Sequence, residues 1–200
     1  MAEPSNTSRS GKAGKAGEVA VEINCEDDAW RPYLEIIEPR LKSVAAELGV
    51  FCGELSVVLT DDTAIQKINK QFRGQDKPTN VLSFPSVQAS VEETINAISE
   101  HTLLGDIVLS YQVIDSEAME QDKSFEAHLV HLLIHGFLHL LGYDHVEDND
   151  AEIMEQKEIQ ILDIFDIENP YLTKDSLALS EAADTDGPKD RANRNTRSPL

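Results

Sequence analysis

Polar and apolar positions alternate through EVAVEIN, residues 18 to 24, as they do in a strand at the edge of a sheet. Trp30, Leu34, Ile37, Leu41, Val44 and Leu48 then recur at steps of three and four, which predicts a helix with one apolar stripe ending at Gly49. The run LSVVLT, Leu55 to Thr60, predicts a buried strand. Asp61 and Asp62 offer capping oxygens to a short helix that contains Ile65, Ile68 and Phe72. After Gly74 a loop leads to VLSF, Val81 to Phe84, a strand that Pro85 ends.

Residues 86 to 103 are polar without a clear period and read as an insertion with one helical turn. LGDIVLS, Leu104 to Ser110, predicts a further strand, followed by a helix from Tyr111 to about Glu120 and a second from about Ser124 to Leu141. A final helix over Asp150 to Phe165 is expected to turn Ile153, Ile159, Leu162 and Phe165 inward. Helices and strands intermix without strict alternation. The expected fold is therefore α+β, or layered α/β, with a mixed sheet of about four strands packed by helices.

Residues 1 to 17 are rich in Ser, Gly, Ala and Lys, and the chain turns polar again from Thr173. A disordered arm (1–17), one domain (18–172) and a disordered polar tail (173–200) are expected. The arm lacks the apolar segment of a secretory signal, and no stretch is long enough to span a bilayer. Cys25 and Cys52 lack the close spacing of a metal-ligand pair and are expected as free thiols in a reducing cytoplasm.

The net charge of −20 argues against long-range attraction of nucleic acid. Its distribution softens that conclusion. The arm carries +2 and the tail balances five of each sign, which assigns −22 to the central domain. Four of that domain's nine basic residues, Lys67, Lys70, Arg73 and Lys77, fall within eleven positions, whereas acid gathers between Glu147 and Glu168 on what reads as a solvated helix face.

HGFLHLLGYDH, from His135 to His145, carries the candidate chemistry. His135 and His139 stand four apart and project from one helical face, and Gly142 permits the left-handed turn that returns His145 to the same ion. Three imidazoles leave a fourth tetrahedral position open, the layout of a catalytic zinc site. A metal-free, His-rich packing face is the alternative, since His128 and His131 lie on the same helix. The spacing matches the peptidase pattern HExxHxxGxxH except that Gly136 stands where the glutamate base belongs, so peptide hydrolysis loses its proton acceptor.

Arg73 precedes a glycine, a Pro-containing turn and a strand in FRGQDKPTNVLSFP. Its forked guanidinium suits a phosphodiester, although chemistry alone favours an arginine that merely closes a turn.

HGFLHLLGYDH together with KPTNVLSFP and LLGDIVLS resembles the YbeY family of bacterial endoribonucleases, or rRNA maturation factors, over nearly all of residues 18 to 168. The resemblance implies a zinc-dependent ribonuclease that acts on single-stranded RNA, matures the 3′ end of small-subunit rRNA and serves ribosome quality control. It implies His135, His139 and His145 as ligands of one Zn2+ and Arg73 as the functional arginine, with His131 packing behind the site. It suggests rRNA, the small ribosomal subunit, ribosomal proteins and an assembly GTPase as partners. Lys70 and Lys77 are candidates for further phosphates, and Gly136 is expected to leave room for RNA over the metal. The family's TDVLSFP is TNVLSFP here, so Asn80 replaces a carboxylate and puts any proton-accepting role at that position in doubt. A non-catalytic assembly factor stabilised by zinc is the rival reading, and a zinc peptidase the third.

Overall fold

Trp30, wholly buried, anchors the start of the fold by donating its indole N–H to the Thr60 carbonyl at 3.0 Å, so the largest apolar side chain brings its one polar group to a partner. It stands in a computed structural model that describes residues 17–172. The arm, apart from Gly17, and the tail from residue 173 lie outside the described residues.

Strand β1 (Ala20–Cys25) leads through a 3-10 turn (Asp28–Tyr33) into α1 (Leu34–Glu47) and β2 (Glu54–Thr60). Helix α2 (Asp62–Arg73), β3 (Val81–Pro85), α3 (Val91–Ala97) and β4 (Leu103–Ser110) follow, then α4 (Tyr111–Glu120), α5 (Phe125–Leu140) and α6 (Asp148–Asp163). The strands form one sheet in the order β1-β2-β4-β3, parallel except for the antiparallel β3–β4 pair. The architecture is α+β with a mixed four-stranded sheet, as expected. Asn169 to Leu172 form a separate turn in which Asn169 Oδ1 accepts from the Tyr171 backbone N–H at 2.9 Å.

Alternation along β3 and β4 sorts the layers. Leu82 and Val108 face α2 and cluster with its Ile65. Ser83 and Ile107, one residue on, face α5. Helix α5 is apolar on nearly every side, with Leu129, Leu133, Ile134, Phe137 and Leu138 wholly buried, because the sheet, α1, α4 and α6 surround it. Each such side chain contributes about 1.5–3 kcal/mol on burial, so the helix that carries the histidines is also the best-anchored element.

Three expectations need correction. Residues 86 to 103 hold the two-turn helix α3, opened by a capping box in which Ser90 and Glu93 bond reciprocally. In α6 the inward face is Met154, Glu158, Ile161 and Leu162, and Ile153 is 46% exposed. The acidic run therefore does not lie wholly in solvent: Glu158 is completely buried. Among the described residues no helix is long and apolar enough to cross a membrane, and both cysteines are free.

Candidate metal centre

Ser124 caps α5 by accepting the Ala127 N–H at 3.1 Å, which fixes where the helix begins and hence which face its histidines share. His128, His131, His135 and His139 follow at steps of three and four along that face. At the other end Gly142, with φ +96°, reverses the chain while the Tyr143 N–H returns to the Leu138 carbonyl at 3.1 Å. A side chain at Gly142 would meet the Ala89 carbonyl oxygen at 2.6 Å, so glycine is required by both conformation and space.

The turn brings His145 over the helix. Its ring stacks on His135 with centroids 5.4 Å apart and stands edge-on to His139 at 5.0 Å. One ring nitrogen from each of His135, His139 and His145 lies within 4.8 Å of the others, a group that could hold a metal ion.

Hydrogen bonds behind the rings decide which nitrogens face inward. His139 Nδ1 lies 2.9 Å from the Tyr143 carbonyl, which only accepts, so the proton sits on Nδ1 and Nε2 carries a lone pair. His135 Nδ1 lies 2.7 Å from Glu158 Oε1, and an ionised Glu158 places the proton on Nδ1 here as well. The two Nε2 atoms then face each other at 3.1 Å, lone pair to lone pair. Such a pair repels unless a proton or a metal lies between. Two nitrogens on one tetrahedral zinc are separated by about 3.3 Å at ordinary Zn–N lengths, so these donors fit the ion.

Burial pushes the His139 imidazolium down to about 4, with further lowering from the charges of His135 and His145. Near neutral pH it is therefore a neutral imidazole, with Nε2 available as a ligand. His131 does not join the triad: its Nε2 lies 3.1 Å from Glu158 Oε2, so one buried carboxylate holds two rings at once. Sequence reasoning missed Glu158 because a glutamate inside an acidic run reads as a solvated face. His128 turns instead toward α4 and lies 2.8 Å from Glu117 Oε2.

Gly136 serves the fold rather than an open channel. A Cβ there would lie 3.1 Å from Ile107 Cγ2 and 3.2 Å from Ser83 Oγ, so the missing side chain lets α5 approach the sheet and leaves no space for RNA. It also turns the position of the peptidase glutamate onto the strands, away from solvent.

Arg73 is the exposed last residue of α2, before Gly74 at φ +69°. No hydrogen bond or ion pair among the described residues joins it to the histidines. Lys70 pairs with Asp76 at 2.6 Å, both largely exposed, and the Lys77 side chain is exposed while its carbonyl accepts from Asn69 at 2.8 Å. Asn80 neither donates to nor accepts from the triad. Its Oδ1 accepts the Val81 N–H at 2.7 Å and its Nδ2 donates to Glu117 Oε2 at 2.9 Å. Burial would raise the Glu117 carboxyl, but the bonds from His128 and Asn80 outweigh it and hold the group below its ordinary value.

The family model described as Endoribonuclease YbeY matches residues 21–166. Among curated proteins, the Endoribonuclease YbeY of Sinorhizobium medicae (strain WSM419) is 43% identical over 162 residues, covering 76% of this chain and 94% of its own. That of Magnetococcus marinus (strain ATCC BAA-1437 / JCM 17883 / MC-1) is 52% identical over 126 residues, covering 60% of this chain and 83% of its own. The solution structure of TM1509 from Thermotoga maritima superposes with a TM-score of 0.52 at 25% identity, over 87% of this chain and 99% of that one. With an α+β fold, three converging imidazoles and a family match that spans all four strands apart from Ala20, this chain belongs to the YbeY family of endoribonucleases.

Proposed function

We propose that this protein is a zinc-dependent endoribonuclease that cuts single-stranded RNA in the maturation of small-subunit rRNA and in ribosome quality control. The observation that carries the metal dependence is the convergence of one ring nitrogen from each of His135, His139 and His145 within 4.8 Å of the others, with the Nε2 atoms of His135 and His139 only 3.1 Å apart. Family membership supports the reaction class. Zinc held by His135, His139 and His145 would supply Lewis-acid chemistry at a phosphodiester. Arg73 binds a non-bridging oxygen with its fork of donors, and Lys77 holds a neighbouring phosphate. Lys70 serves the same purpose only by releasing Asp76.

His131 bears on the rival, in which zinc merely staples a ribosome-assembly factor. A structural zinc is ordinarily closed by a fourth protein ligand, whereas His131, one turn before His135, engages Glu158 through its Nε2, the atom with which His135 and His139 face each other. The open position favours catalysis. The peptidase reading has no base at position 136. In this reading the protein acts in the cytoplasm, with the small subunit, ribosomal proteins and an assembly GTPase as its partners.

Cleavage of a small-subunit rRNA precursor fragment by wild type beside Arg73→Ala, at equal zinc content, tests the proposal. Cutting by the wild type alone supports it. Equal cutting, or none, with both proteins still bound to small-subunit precursors, supports the assembly factor.

A further inference from the structure

Phe72 is 62% exposed although it continues the apolar stripe of Ile65 and Ile68 along α2. Ile65 is wholly buried against Leu82 and Val108, but Phe72 stands in the last turn, past the part of the helix that those side chains cover. Its ring meets the half-buried Phe84 of β3 edge to face, with centroids 5.1 Å apart and planes at 65°. An edge-to-face pair fixes the ring while leaving a face for a third aromatic group.

The surroundings select what that group is. In the sequence Phe72 falls within the one basic stretch, Lys67, Lys70, Arg73 and Lys77, of a chain whose net charge is −20. Lys70 is paired with Asp76, whereas Lys67, Arg73 and Lys77 form no ion pair among the described residues. Gln66 Nε2 also donates to Asp76 Oδ1 at 3.1 Å, so the loop carrying Lys77 is tied back to the helix carrying Arg73. Asp106 stands opposite Phe84 in the β3–β4 ladder and is exposed. A carboxylate there repels a phosphate but accepts from a base amino group. Bases thus belong over the rings, and phosphates over the cations.

The platform also has a route to the histidines. Phe84 and Ser83 are consecutive on β3 and point to opposite faces, Phe84 toward Phe72 and Ser83 toward Gly136 of α5. Among the described residues β3 pairs with β4 alone, so it is the outer strand on that side of the sheet.

We propose that Phe72, braced by Phe84, stacks a base of single-stranded RNA whose flanking phosphates lie on Arg73 and Lys77, and that this strand passes round the outer edge of β3 toward His135, His139 and His145. The assignment rests on the ribonuclease reading. Stacking is available only to unpaired bases, so the platform selects single strands.

The test uses the full-length, zinc-loaded chain. Binding of a fluorescein-labelled decamer of 2′-O-methyl cytidine is followed by anisotropy across a salt series, and cleavage of the unmodified decamer is followed in parallel. Phe72→Ala and Phe72→Leu each weaken binding about tenfold or more with an unchanged salt slope, and Phe72→Trp restores it. Lys77→Ala lowers the salt slope by roughly 0.7. Wild-type cleavage with undiminished binding by Phe72→Leu overturns the platform and leaves the ribonuclease reading standing. A wild type that neither binds nor cuts overturns both. Because Phe72 is mostly exposed, the variants keep the fold, checked by circular dichroism.

Discussion

Glu158 and His135 face each other at 2.7 Å across the packed pair α5 and α6, the carboxylate wholly buried and the imidazole half-buried. A buried carboxylate is costly unless its oxygens are satisfied, and here His131 takes one oxygen and His135 the other. A divalent ion bound beyond His135 adds the opposite charge one ring away. Glu158→Gln cannot accept from both rings, since its amide must donate to one of them and turn that imidazole to the other tautomer. Zinc affinity, read by competition with a chelating dye, should fall about 10- to 100-fold. Equal affinity in wild type and Glu158→Gln would show that the carboxylate does not orient the ligand.

Metal removal should cost stability, and the loss should depend on pH in a defined sense. With chelator present the triad has no ion, and His139 is held down to about 4 against 6.5 for a free histidine. The unfolded chain therefore binds the proton more readily, so the metal-free protein loses stability as pH falls from about 6.5 to about 4 and the slope ends below that. Restoring free zinc to a hundred times its dissociation constant should return about 2.7 kcal/mol, a rise in Tm of roughly 5 to 10 °C. Differential scanning calorimetry at pH 7.5 and 5.5, with and without chelator, reads both effects, and a Tm indifferent to chelator would argue against a bound ion.

Asn80 matters through Glu117. Its amide donates to a carboxylate that also takes His128, and these bonds overcome burial to keep Glu117 ionised. In the wild type this contribution is present at neutral pH and fades as pH falls below the ordinary glutamate value of 4.5. Asn80→Asp replaces the donor with a second carboxylate, and the pair then holds a proton more tightly in the folded state. The penalty is fully present at pH 8, about 1–3 kcal/mol, and shrinks as pH falls toward 5. Urea denaturation of the variant and of Asn80→Ala at both pH values separates repulsion from simple loss of a bond. If Asn80→Asp matches wild type at pH 8, the network does not depend on the amide.

Much of this architecture was legible because period and spacing are local properties. The stripe from Leu34 to Val44, the alternation of EVAVEIN, the three apolar strand runs and the glycine after HGFLHLL each declared their element within a dozen residues, whereas Trp30, expected on the same helix, lies in the 3-10 turn before it. Glu158 was not legible, since nothing in DNDAEIMEQKEIQILD distinguishes the one buried acid from its solvated neighbours. Excluding a charged residue from the inward face also displaced the expected stripe by one position, onto Ile153 in place of Met154. The reading of Gly136 as space for RNA failed for a related reason. Room left by a glycine is filled by whatever tertiary packing brings, here Ile107 and Ser83.

Gly142 gives the sharpest test of how the fold makes the site. The triad requires His145 to return over α5, and that return runs through a residue at φ +96° whose missing Cβ would otherwise lie 2.6 Å from the Ala89 carbonyl oxygen. Gly142→Ala meets both obstacles at once, a strained left-handed backbone and a collision with backbone that cannot rotate aside. Stability should fall by roughly 2–4 kcal/mol, and zinc affinity should fall with it because His145 is the ligand carried on the displaced segment. Gly136→Ala offers the contrast. Its nearest obstacles are the ends of the Ile107 and Ser83 side chains at 3.1 to 3.2 Å, which yield by a few tenths of an ångström. It should cost about 1–2 kcal/mol while His145 keeps its place, so zinc binding is the better retained of the two. Calorimetry and chelator competition on both variants check the order. If Gly136→Ala lost zinc while Gly142→Ala kept it, the ion would depend on the seat of α5 on the sheet more than on the returning turn.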